Sequence, residues 1–179
     1  MTLVGGWILP VAWATLGLTI VSCGVRAQRS PRALRIGIGA VSLLWVVFGA
    51  GANLLMLADG TTYTGFADGS PIDVVQHTWE SLVVPHHHAF IGLLVVGEAL
   101  AGALVLVRGR VRELTLLALV AFNLTLIVFG WGFAVWALPV SSGLLLLYRA
   151  ERLRSLRRLP SAGASSARHR APRSRVPSP

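Results

Sequence analysis

Glu98 sits inside the apolar stretch IGLLVVGEALAGALVLV, where a carboxyl group is costly to hold and is kept when it is paired or functional. Its chemistry there would be that of a proton-responsive, hydrogen-bonding group in an apolar pocket, suited to a lipid or a quinone-like ligand. At about 1.5 Å of rise per residue, Glu98 and Asn123 lie at the same depth, about 14 Å from the arginine-flanked ends of their stretches, so the spacing predicts that they meet. Thr15, Ser42, Ser141 and Ser142 fall within about one turn of that depth, which predicts a polar layer running through the bundle. The plainer account is that this layer only fastens helices together, with Glu98 hydrogen-bonded to Asn123.

A second cluster could hold a divalent metal. His86, His87 and His88 follow a segment whose polar stripe offers Asp73, Gln76, His77 and Glu80. Imidazoles with the Asp73 and Glu80 carboxylates suit zinc, copper or nickel. Three adjacent histidines point in different directions, however, and no spacing such as HExxH is present, so a polar, pH-sensitive surface explains them too. His87 shares a helical stripe with Ile91, Leu94, Glu98 and Gly102, about 16 Å separating it from Glu98, and that stripe could line a path toward the middle of the helix. No Ser/His/Asp set, phosphate-binding glycine loop or dinucleotide fingerprint occurs in a fitting context, so an enzyme acting alone is not expected. The single Cys23 excludes an intramolecular disulfide and a CxxC motif.

The elements that must position these groups are membrane spans. Of 179 residues 54% are hydrophobic and only 13% charged, and the mean hydropathy is +0.69, beyond what a water-facing surface tolerates. A span needs about 20 apolar residues to cross about 30 Å of hydrocarbon. Residues 3–25, 34–57 and 89–107 each qualify. The run 114–148 is too long for one span, and Gly130, Trp131 and Gly132 divide it in two, with Pro139 marking a kink in the second half. Charge supports five spans. All 16 basic residues are arginine, and Arg26 to Arg35, Arg108 to Arg112 and Arg149 to Arg158 fall on one side in this arrangement, which the positive-inside rule makes cytoplasmic. The amino terminus and the arginine-free loop 58–88 are then outside. Nucleic acid binding is not expected, because the arginines flank apolar runs rather than forming a basic face on a polar domain.

In the outer loop, Ser70 and Pro71 with Asp73 resemble a helix start, and Ile72, Val75, Trp79, Leu82 and Val83 recur at helical spacing until Pro85, which predicts a short helix lying in the outer interface. Gly97, Ala101 and Gly102, with residues 49–52, predict close helix packing. The first segment has no basic residue ahead of its apolar run and reads as a retained span rather than a signal peptide, although residues 20–23 loosely match a lipoprotein cleavage box. The chain divides into residues 1–33 (first span and basic loop), 34–149 (four-helix bundle) and 150–179, an arginine-rich tail expected to be disordered and to attract anionic lipid headgroups.

Residues 34–148 resemble the DoxX-like superfamily of small four-helix bacterial membrane proteins. The likeness lies in GAGANLLML at the end of the first family helix, an outer loop with Trp79 and Pro85, the glutamate-bearing helix IGLLVVGEALAGALVLVRGR, and a closing pair of short helices. It implies an all-α bundle, here with an added amino-terminal span, some of whose members are membrane partners of quinone-linked oxidoreductases. It carries over Glu98 alone as a ligand-binding or structural residue. The expected role is an accessory or ligand-binding bundle in a bacterial cytoplasmic membrane, associated with lipid, quinone or a redox protein partner. The all-arginine, alanine-rich composition points to a GC-rich bacterium. The alternatives are a metal-handling protein or small transporter using the outer histidines, and a purely structural membrane partner. A compartment reporter fused to the carboxyl terminus is expected to read cytoplasmic; an external signal would overturn the five-span count.

Overall fold

The computed structural model describes residues 7–157, and all regular elements among them are helical. Helix α1 is Ile8–Ala27. Helix α2 (Pro31–Leu43) starts with Pro31 in its first turn and with Ser30 Oγ accepting the Ala33 N–H at 3.2 Å, so side chains and ring geometry both favour a helix there. It runs through a π-helical stretch, Leu44–Gly51, into α3 (Ala52–Ala58), making one continuous span. A loop follows, then α4 (Asp73–Thr78), which widens into a second π stretch, Trp79–Val83. Helices α5 (His87–Leu104), α6 (Arg110–Thr125, prolonged by a tight turn over Leu126–Phe129) and α7 (Trp131–Arg157) complete the chain.

Among the described residues five helices are long and apolar enough to cross a membrane: Leu9–Ala27, Pro31–Ala58, His87–Leu104, Arg110–Phe129 and Trp131–Arg157. The break between the last two falls at Gly130, whose φ of +134° is open to glycine and strained for other residues. Pro139 lies inside α7 without ending it. One end of the bundle, the loop end, carries the loop of residues 59–72, and the other, the arginine end, carries the arginines of the described residues.

Three expectations are corrected. Residues 150–157, assigned to the tail, continue α7, because Ala150 and Glu151 are buried against the bundle; the tail from 158 onward, and the predicted start of the first span at 3–6, lie outside the described residues. Ser70 does not cap α4. Its hydroxyl is buried and donates to the Val128 carbonyl at 2.6 Å while accepting the Ile72 N–H at 3.1 Å, so it fastens the loop to a carbonyl left free at a helix end. The apolar residues around α4 also divide: Trp79 and Val83 turn toward the bundle, whereas Ile72, Val74 and Leu82 stay exposed.

Packing is tightest around α1, which lies against α2 and α7. Trp13 and Trp136 stack with centroids 4.5 Å apart, and Gly24 meets the Gly143 backbone so closely that a Cβ would stand 2.8 Å from its oxygen. The arginine end is tied by a guanidinium. Arg112 donates from Nε to the Val105 carbonyl and from Nη2 to that of Leu106, both at 2.8 Å, and pairs through Nη1 with Glu151 at 3.2 Å. One side chain thus occupies carbonyls freed at the end of α5 and joins α5, α6 and α7. Arg154 Nη2 donates to the Ala27 carbonyl at 2.7 Å and Ser155 Oγ to Glu113 at 2.9 Å, adding α1 and a second α6 contact. Because both charges of the pair are nearly buried, Arg112→Ala is expected to cost about 3–5 kcal/mol. Arg112→Met combined with Glu151→Leu should recover most of that loss, as read from unfolding midpoints of purified protein.

Candidate functional site

The helices part toward the loop end around a half-open cavity of about 610 Å³. Its wall is aromatic. Trp13 comes from α1, Trp45 and Phe48 from the first π stretch, Phe90 from α5, Phe122 from α6, and Phe133 and Trp136 from α7. The roof is the loop with Tyr63 and Phe66, joined by Trp79 from the second π stretch; Phe66 stacks on Trp79 at 4.8 Å and meets Phe129 edge-on at 5.2 Å. The polar side chains on this wall that bear a carboxyl or carboxamide are Glu98, Asn53 and Asn123.

Glu98 is not paired with Asn123. Its Oε2 accepts from Asn53 Nδ2 at 3.0 Å, while Asn123 Nδ2 donates to the Leu119 carbonyl of its own helix at 2.8 Å. Glu98 and Asn123 therefore share a cavity without a hydrogen bond between them. Asn53 stands one turn after Gly49, where a Cβ would lie 2.8 Å from Glu98 Oε1. Glycine makes the room and asparagine supplies the donor. A backbone chain then leads from this pair to the roof: the Asn53 carbonyl accepts from the Tyr63 hydroxyl at 3.2 Å, and the Tyr63 carbonyl accepts the Trp79 indole N–H at 2.9 Å. Tyr63 is held at φ +60°, a conformation costing a non-glycine residue on the order of 1–2 kcal/mol, so its neighbours over-determine it. Burial, reinforced by the nearby Glu98 carboxylate, pushes the Tyr63 hydroxyl above its ordinary pKa and keeps it a donor.

The predicted polar layer does not form. Thr15 and Ser142 donate to carbonyls one turn back in their own helices, at 2.7 and 2.8 Å. Ser141 is buried with no partner for its hydroxyl among the described residues, and Ser42 lies where its backbone oxygen meets Gly102. Neither serine is on the cavity wall.

The metal candidates stay apart. Glu80 accepts the Gly65 N–H at 2.8 Å and so anchors the roof, while His87 Nδ1 contacts the Val84 carbonyl at 2.8 Å and its ring lies tilted beside that of His88 with centroids 4.2 Å apart. His77, His86 and His88 are exposed, as is Asp73 in the first turn of α4. Among the described residues no three histidine, cysteine, aspartate or glutamate side chains converge on a metal position. Of the stripe on α5, Ile91, Leu94 and Glu98 face the cavity, Gly102 packs on Val46, and His87 does not reach the wall.

The chain matches no protein-family model, no curated protein and no solved structure. Function must therefore be argued from this cavity. Sequence reasoning missed Asn53, Tyr63 and the Arg112 to Glu151 pair. The signal for Asn53 was present in GAGAN, where a glycine and an asparagine four residues apart share a helical face. If Gly49 exists to clear Glu98, Gly49→Ala should destabilise the protein by about 1–3 kcal/mol through overpacking. The same change in a Glu98→Ala background should be nearly silent, and thermal midpoints of the four proteins in the cycle measure that coupling.

Proposed function

We propose that this chain is a multi-pass protein of a bacterial cytoplasmic membrane that binds an uncharged, ring-bearing lipid of the quinone type under its loop, as an accessory or carrier bundle rather than a catalyst. The observation that carries this reading is the cavity wall: four of the six tryptophans and a set of phenylalanines surround one carboxyl and two carboxamides. Flat aromatic faces suit a planar ring, and a few fixed polar groups suit its carbonyl oxygens. An anionic headgroup would need a counter-charge, and among the described residues no arginine lies on the wall.

The rest of the molecule agrees with a membrane setting. The arginines gather at one end, Arg152 reaches Tyr148 there at 2.7 Å, and the strongly exposed Trp7 and Trp131 lie at the other, as interfacial anchors do. In this reading the loop end is outside, exposed Ile72, Val74 and Leu82 meet the outer interface, and the arginine end attracts anionic headgroups and offers a face to a redox protein partner. In this reading the helix order resembles that of the DoxX-like superfamily, with a difference. The extra amino-terminal span supplies Leu9, Pro10 and Trp13 to the cavity and so belongs to the binding wall.

Quinones quench indole fluorescence on contact, and the wall tryptophans make that the direct test. Titration of the detergent-solubilised protein with decyl-benzoquinone is expected to give saturable quenching. Glu98→Leu and Asn53→Leu should each weaken it about tenfold, the worth of one well-placed hydrogen bond. Quenching that never saturates, or that ignores both substitutions, would sink the proposal.

A further inference from the structure

We infer that the bound lipid carries an apolar chain that leaves the bundle sideways, through a seam between α5 and α6 just below Glu98. This rests on the binding reading above and extends it from the ring to the whole ligand. A second chamber of about 430 Å³, open to the outside, adjoins the main cavity, and the two share Trp45, Phe90, Leu94, Glu98 and Phe122 as common wall. Glu98 stands at the junction. Beyond it the chamber is bounded by Gly97 and Ala101 on α5 and by Ala118 on α6, with no other charged, carboxamide or hydroxyl side chain on its wall among the described residues. A headgroup has nothing to bond there; a hydrocarbon chain needs nothing.

The seam is open because its residues are small and its helices touch little. Helices α5 and α6 follow each other in sequence, yet α5 packs chiefly on the first π stretch and α6 on α7. Gly97 is exposed, and a Cβ built on it would meet nothing within 4 Å. Ala118 across the seam is exposed too. A ring seated among the tryptophans and a chain passing Gly97 would thus place the polar part of the ligand beside Glu98 and return its tail to the surrounding lipid.

Filling the seam should discriminate tail from ring. Gly97→Phe and Ala118→Phe each add bulk on the seam from opposite helices, away from the pairing of Glu98 with Asn53. In quenching titrations against decyl-benzoquinone and its methyl homologue, each variant is expected to weaken the decyl compound about tenfold through lost chain burial, and to leave the methyl compound within about twofold of wild type. Comparing variants with wild type for the same compound cancels its partitioning into detergent. If the wild type is quenched by both compounds and the two variants treat them alike, the chain does not use the seam. If neither compound quenches the wild type, the ring-binding reading fails first, and this inference with it.

Discussion

A carboxyl group among apolar helices must find a partner, and the loop end of this molecule is built outward from that requirement. Glu98 is answered by Asn53, which stands close enough because Gly49 has no side chain. Tyr63 bonds to the Asn53 carbonyl from an unfavourable backbone conformation. Trp79 in turn holds the Tyr63 carbonyl, and Glu80, its neighbour in sequence, holds the Gly65 amide. Polar groups that would each be costly alone in an apolar surrounding become one connected set. The roof over the cavity is in this sense a continuation of the Glu98 site, and displacing any member transmits to the next.

The arginine end solves the opposite problem. There the helices are drawn together by Arg112, whose donors reach two carbonyls at the end of α5 and the Glu151 carboxylate on α7. A charged pair this well buried adds little net stability over an apolar replacement but is expensive to break, so it acts as a fixed joint. With one end closed by charge, the helices part at the loop end, where the described residues hold no such charged joint and α1 meets α7 through the stack of Trp13 on Trp136. The division of the bundle into a closed end and a hollow end follows from where these contacts fall.

The fold was legible in the sequence because the forces that set it are long runs and simple counts: apolar length, arginine position and the glycine at 130. The site was only half legible. Glu98 stands out by its setting, but its partner was sought by counting depth along straight helices from a common level. That count places Asn53 about 15 Å nearer the loop end than Glu98 and favours Asn123. The second span instead contains eight π-helical residues, whose wider turn changes both rise and facing direction, and no periodicity rule anticipates it. Arg112 was hidden for a different reason. As one of three arginines after the third span it reads as a topology signal, and only the fold brings Glu151, on a helix expected to end before it, within reach.

Two glycines of α5 serve opposite physical ends. A glycine inside a helix costs about 1 kcal/mol relative to alanine, and close packing is the usual return. Gly102 receives it, since a Cβ there would strike Val46 and the Ser42 carbonyl oxygen. Gly97 does not. Five residues earlier on the same helix, it faces open space and borders the second chamber, so its lack of a side chain contributes room rather than contact. Between them sits the carboxyl of Glu98, one residue beyond Gly97, at the point where the two chambers join. What distinguishes this helix from a packing element is therefore the pairing of an unneeded gap with a costly polar group beside it, and a ligand with a polar head and an apolar chain is the one class of occupant that makes use of both.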